Sequence, residues 1–232
     1  HSYISFNLSD FTFSTDIIWD IIKVGLPASL SMIVMAVGQG VFNKILVHIS
    51  VNTVAAYQVA GRLDMLVFLP IFSIAASLTT LVGMFYGAKE YGALRYIIKY
   101  GILSALLITI ISSIIVYTFA GYVVRFFTDD ASIVIIAVNF LQIFAFAYPF
   151  IAVGITTGRV LQGLGKGLPV LIITIVRVLG VSAPLALFFI FIMDKTVEWV
   201  WYSMMLSTIV AFGIGLTWLV STLKTLPASR QS

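Results

Sequence analysis

Long apolar runs separated by short polar turns fill nearly the whole chain. Six runs, at about 24–47, 54–85, 97–124, 132–158, 168–193 and 199–223, are continuous enough to cross a bilayer. A helix spanning the ~30 Å hydrocarbon layer needs about 20 apolar residues, and each run meets that length. The pattern predicts helices, because in lipid only helices and closed barrels satisfy every main-chain hydrogen bond. The short segments of alternating polarity that build a barrel are absent. The polar turns between runs fall into two alternating sets. One set holds His48, Ser50 and Asn52, then Thr128, Asp129 and Asp130, then Asp194 and Lys195. The other is basic, with Lys89, Arg95 and Lys99 in one turn and Arg159 and Lys166 in the next.

Charge gives the predicted bundle a direction. With Lys23 before the first run and Lys224 and Arg230 after the last, eight basic residues fall on one side; Lys44, Arg125 and Lys195 fall on the other. Basic residues favour the cytoplasmic side, which predicts that both termini lie there in a cell membrane. The division expected is a lead-in over residues 1–23, a six-helix lobe over 24–225 and a tail over 226–232. An amphipathic helix over about 15–23 fits an interfacial lead-in, with Asp16 suiting its N-terminus. The chain starts at His1 with no secretory signal before the first run, as expected of a fragment or a processed product.

Composition excludes the other broad classes. Hydrophobic residues make up 61% of the 232 and charged residues 9%, with a mean hydropathy of +1.12. Soluble domains carry about 25% charged residues, so the outer solvent of this chain is lipid. There are no cysteines, which removes disulfides, thiolate chemistry and cysteine metal sites. No HExxH, G-x-S-x-G or Walker phosphate loop is present, and the glycine-rich stretch from Gly163 to Gly167 has the wrong spacing for a phosphate cradle. His1 and His48 have no partners at metal-ligand spacing. These features predict a protein that is not an enzyme, with no cofactor, no metal and no nucleic-acid partner.

Polar residues inside the runs mark packing or function, because lipid makes them costly. In the first run Met32, Met35, Gln39 and Asn43 share one helical face. Two thioethers and two amides suit a pocket for varied apolar molecules, and equally suit hydrogen bonding between helices. In the second run Tyr57, Gly61, Asp64 and Phe68 form a stripe, with Arg62 beside it. Asp64 is the one carboxylate well inside a run, roughly 15 Å along its helix. It is either a proton carrier or a structural group tied to Arg62 or Arg177. Arg62 is only two positions away and faces elsewhere on a regular helix; Arg177 serves only if the second and fifth helices touch. The fourth run offers Asn139, Gln142 and Phe146 on one face. Pro70, Pro149 and Pro184 lie inside runs and can bend them. Met32, Met35, Gln39, Asn43, Asn139, Gln142 and Phe146 are expected to face a common cleft, with Tyr57 and Phe68 as further candidates to line it.

The first two runs resemble the MATE (multidrug and toxic compound extrusion) family. The resemblance lies in Gly25-Leu26-Pro27-Ala28-Ser29-Leu30, in Val54-Ala55-Ala56-Tyr57-Gln58-Val59-Ala60, and in Arg62-Leu63-Asp64. It continues through Phe68-Leu69-Pro70, Ser77-Leu78-Thr79-Thr80-Leu81-Val82-Gly83, Tyr86-Gly87-Ala88-Lys89 and Leu161-Gln162-Gly163-Leu164-Gly165-Lys166. These stretches are similar, in order and spacing, to the start of the C-terminal half in that family. The last two runs match only as apolar helices. The resemblance implies an all-α membrane protein, a six-helix bundle forming one lobe of a twelve-helix transporter. It also implies an N-terminal six-helix lobe as partner, a cleft for organic cations or drug-like compounds, and coupling to H+ or Na+. The sodium-coupled branch has a glutamate in the first helix of this lobe and an aspartate in the fourth. Here the first run has no acid, and the fourth has Asn139 and Gln142, so the resemblance implies that the coupling ion binds mainly in the other lobe. It gives Asp64, within the Arg62-Leu63-Asp64 pattern, a structural or gating role; Arg62, Asp64 and Arg177 are together the candidates for buried or gating charges. Two other readings are a lipid or oligosaccharide flippase of the same superfold, which would want more Arg and Lys in its cleft, and a channel or structural bundle, which would want a charged ring or a filter loop.

Overall fold

In a computed structural model the described residues, 14–227, are almost entirely helical. In chain order the helices are α1 (Thr15–Ile49), α2 (Val51–Gly87), α3 (Tyr91–Arg125), α4 (Ala131–Ala145), α5 (Tyr148–Gly163), α6 (Leu168–Ile192) and α7 (Glu198–Lys224). Five of them are long and apolar enough to cross a membrane; α4 and α5 form a pair bent by 60° that makes a sixth crossing when counted as one broken span. The six-helix membrane bundle predicted from the apolar runs is the fold observed.

Two sequence boundaries need correction. The helix expected over 15–23 is not a separate element, because it is the opening of α1, which runs unbroken through Pro27. A proline inside a helix removes one donor without obliging the helix to end, and here the chain on both sides stays helical. The rest of the expected lead-in, residues 1–13, lies outside the described residues, as do 228–232 of the expected tail. The fourth run is likewise two helices, divided at Phe146 and Ala147.

Turn chemistry accounts for several of the other helix ends. Ser50 caps α2, its hydroxyl accepting from the Thr53 N–H at 3.1 Å. Asp130 caps α4, one carboxylate oxygen accepting from the Ser132 and Ile133 N–H groups at 2.8 and 3.4 Å. These hydrogen bonds hold the exposed Asp130 carboxyl below its ordinary range. The Asn52 amide donates to the Ser132 hydroxyl at 2.7 Å, joining the two turns at this end of the bundle. At the opposite, basic end the glycine-rich stretch stops α5. Gly165 adopts a φ of +76°, and the Gly165 and Lys166 N–H groups return to the Gln162 and Leu161 carbonyls. That left-handed residue with its returning bonds is a helix C-terminal motif, and it explains the glycine without any phosphate. The last turn of α7 is held there by Arg95, whose guanidinium donates to the Leu223, Leu226 and Pro227 carbonyls at 3.1–3.3 Å.

The helices pack in two groups around α2. It lies against α3, α4 and α5, while α1 packs mainly on α6, and α7 bridges to α4, α5 and α6. Without a hydrophobic drive between helices in lipid, close approach and hydrogen bonds must hold such a bundle. Gly38 shows the close approach: a Cβ there would sit 2.2 Å from the Val178 side chain, so only glycine lets α1 meet α6. At that contact α6 leaves α-helical geometry. It has π-helical turns at Val176–Ser182 and Phe188–Ile192, on either side of Pro184.

Candidate functional site

A polar and aromatic seam runs down the inner face of α2. Tyr57 stacks on Trp201 of α7 with ring centroids 5.9 Å apart and meets the edge of Phe140 of α4 at 5.7 Å. Phe140 and Trp201 close the triangle at 4.9 Å. Trp201 is fully buried, and its indole N–H has no partner among the described residues. The Asn139 side-chain oxygen, one residue from Phe140, is also buried and unpartnered. Such groups cost on the order of 1–3 kcal/mol each when nothing pairs with them.

Two turns along α2 from Tyr57 lies Asp64, half-buried. It accepts a hydrogen bond from the Tyr148 hydroxyl at the start of α5. Tyr148 is fully buried, and its ring meets the edge of Phe68 at 5.3 Å, one further turn down the same stripe. Arg177 lies on the first π-helical turn of α6. The stripe of Tyr57, Asp64 and Phe68 therefore faces protein along its length.

The expected partners of Asp64 do not hold it. Among the described residues neither Arg62 nor Arg177 pairs with the carboxyl, and Tyr148 takes that place. Arg62 was expected as a buried charge, but it is exposed. Two positions along a helix of 3.6 residues per turn is about 200° of rotation, which points Arg62 away from the seam. Arg177 falls short because α2 and α6 do not pack along one another. In the sequence Pro149 marks a weak point, but the isolated Tyr148 beside it carries no pattern that would select it.

The remaining candidates are spread out. Met32 and Met35 are 74% and 51% exposed on α1, with Gln39 exposed on the same face. Asn43 is half-buried and accepts from the Gln58 amide at 3.4 Å. On α4, Asn139 and Gln142 are half-buried, while Phe146 at the break is exposed and packs its edge on Tyr117 at 5.7 Å. α1 and α4 make no extended contact. Within the lobe, therefore, the α1 and α4 stripes do not close on each other, and a shared cleft needs a further surface opposite them.

Residues 27–188 match the model of the MatE family. The chain belongs to the MatE family. A probable multidrug resistance protein NorM from Thermotoga maritima is 29% identical over 167 residues, covering 72% of this chain and 36% of that protein. A solved MOP superfamily transporter from Pyrococcus furiosus is 28% identical, with a TM-score of 0.90 over 97% of this chain and 51% of that one. An outward-facing multidrug resistance MATE family transporter is 29% identical, with a TM-score of 0.89 over 98% and 51%. The chain thus spans about half the length of the MATE structures it matches, as one lobe does, and only about a third of the NorM relative. It is a multi-pass membrane protein of a transporter family.

Proposed function

We propose that this chain is the C-terminal lobe of a cation-coupled multidrug efflux antiporter of the cell membrane, working with an N-terminal six-helix lobe. The two lobes would rock about a shared cleft that exports organic cations or drug-like compounds by alternating access. Its basic end would face the cytoplasm, with both termini there. H+ or Na+ would drive export, bound mainly in the partner lobe, since the first span has no acid and the fourth presents only amides.

The observation that carries this reading is the match of nearly the whole chain to one half of solved MATE transporters. The exposed Met32, Met35 and Gln39 face of α1 supports it, being soft, adaptable surface that a lobe could turn toward varied cargo. The test is efflux of a fluorescent cationic dye from vesicles under proton or sodium gradients. The chain alone is compared with the chain plus an N-terminal lobe. Gradient-driven efflux only with both lobes is the expected result; no efflux under either gradient with both lobes present contradicts it.

A further inference from the structure

A titratable group is built onto the break in the fourth span. Pro149 has no main-chain N–H, so the carbonyl of Ala145, four residues earlier, has lost its helical donor. Ser113 of α3 replaces that donor, its hydroxyl donating to the Ala145 carbonyl. On the far side of the break, Tyr148 is the first residue of α5, and its hydroxyl donates to Asp64. The break is thus fastened on both sides, to α3 by a neutral hydrogen bond and to α2 by a bond to a carboxyl.

We propose that Asp64 is a proton-binding site and that Tyr148 is the positioning residue that converts its occupancy into the bend of the fourth span. An ionised carboxylate accepts a charge-assisted hydrogen bond, roughly twice as strong as a neutral one. Binding a proton forms one O–H bond on the carboxyl, and Tyr148 keeps its own proton. The acceptor is then neutral, its hold on Tyr148 weakens, and the α5 arm is freed to straighten against α4.

The surroundings single out this carboxyl. On its own helix the neighbouring titratable or charged groups are Tyr57, on the same stripe, and Arg62, which points away. Tyr148 faces it from α5, and Arg177 on α6 forms no ion pair with it, α2 and α6 not packing along one another. Among the described residues no other element brings a charge to this level. α1 has none between Lys23 and Lys44, α3 none between Lys99 and Arg125, α4 none at all, and α7 none between Glu198 and Lys224. The proposal goes beyond the efflux reading and holds whether or not the chain exports drugs.

The test uses the full chain in lipid nanodiscs. It has no cysteines, so labels at I135C on α4 and R159C on α5 report the bend against no background. Straightening two arms of this length lengthens the label distance by ~4 Å, at a rise of about 1.5 Å per residue. Double electron–electron resonance should show that lengthening as the pH falls. D64N should hold the long distance at every pH, and Y148F should abolish the pH response. Infrared difference spectra should show a protonated-carboxyl band at low pH that D64N removes. A distance that ignores pH with Asp64 and Tyr148 intact, or a D64N lobe that keeps the full response, overturns the proposal. The first of these needs no Asp64 variant to fold.

Discussion

The fourth and fifth spans each contain a proline, and they answer it in opposite ways. At Pro149 the helix breaks, and α4 and α5 diverge by 60°. Around Pro184, α6 stays one helix and has π-helical turns on either side. Both prolines remove one N–H, so the residue itself does not decide the outcome. What differs is the surroundings. Beside Pro149 a serine on α3 takes the Ala145 carbonyl freed at the break, and a carboxyl on α2 takes the hydroxyl of Tyr148 next to it. Around Pro184 the helix widens its own turns, and Gly38 lets α1 press against the first of them at Val178. A break persists in lipid where neighbours satisfy it; otherwise the helix must satisfy itself.

Substitutions can break or sharpen this contrast. The largest expected effect is on the α6 side. G38L drives a side chain into Val178 and should destabilise the lobe by about 3 kcal/mol, read as loss of thermal stability in detergent or nanodiscs. A tolerated leucine would mean that α1 does not pack closely on the π-helical turn. Next, Y148F leaves the Asp64 carboxyl without its donor and should cost about 2 kcal/mol. S113A removes a neutral hydrogen bond and should cost about 1 kcal/mol, visibly less than Y148F in the same assay. Equal losses would show that the two fastenings of the break do not differ in charge. P184A should change stability by only about 0.5 kcal/mol in either direction, because α6 already runs on through the proline. A small pH effect belongs to the start of α4. The Asp130 carboxyl lies below its unfolded range, so its contribution is present above the ordinary carboxylate range and is lost as the pH falls through its folded value. D130N should remove that acid-dependent part of the melting curve.

The contrast also shows what can be read from residues alone. Six crossings were legible because each apolar run declares itself by length, and the turns between them by polarity. Pro149 and Pro184 were legible as weak points, but their outcomes were not. The donor to the Ala145 carbonyl lies 32 residues away, and the partner of Asp64 is 84 away. Helical spacing put Met32, Met35 and Gln39 on one face correctly, yet spacing has no means of saying what that face looks at. Arg62 could be excluded as a partner of Asp64 from helical geometry. Arg177 could not, because its position depends on how α6 packs in three dimensions.

The most direct measurement compares label distances across the two spans during one pH titration of the lobe with Asp64 and Tyr148 intact. One pair, I135C with R159C, spans the break between α4 and α5; the other, I172C with I192C, spans the π-helical turns of α6. The account predicts that the first distance lengthens on acidification while the second stays fixed. If both move together, or if only the α6 pair responds, the break is not governed by Asp64 and Tyr148.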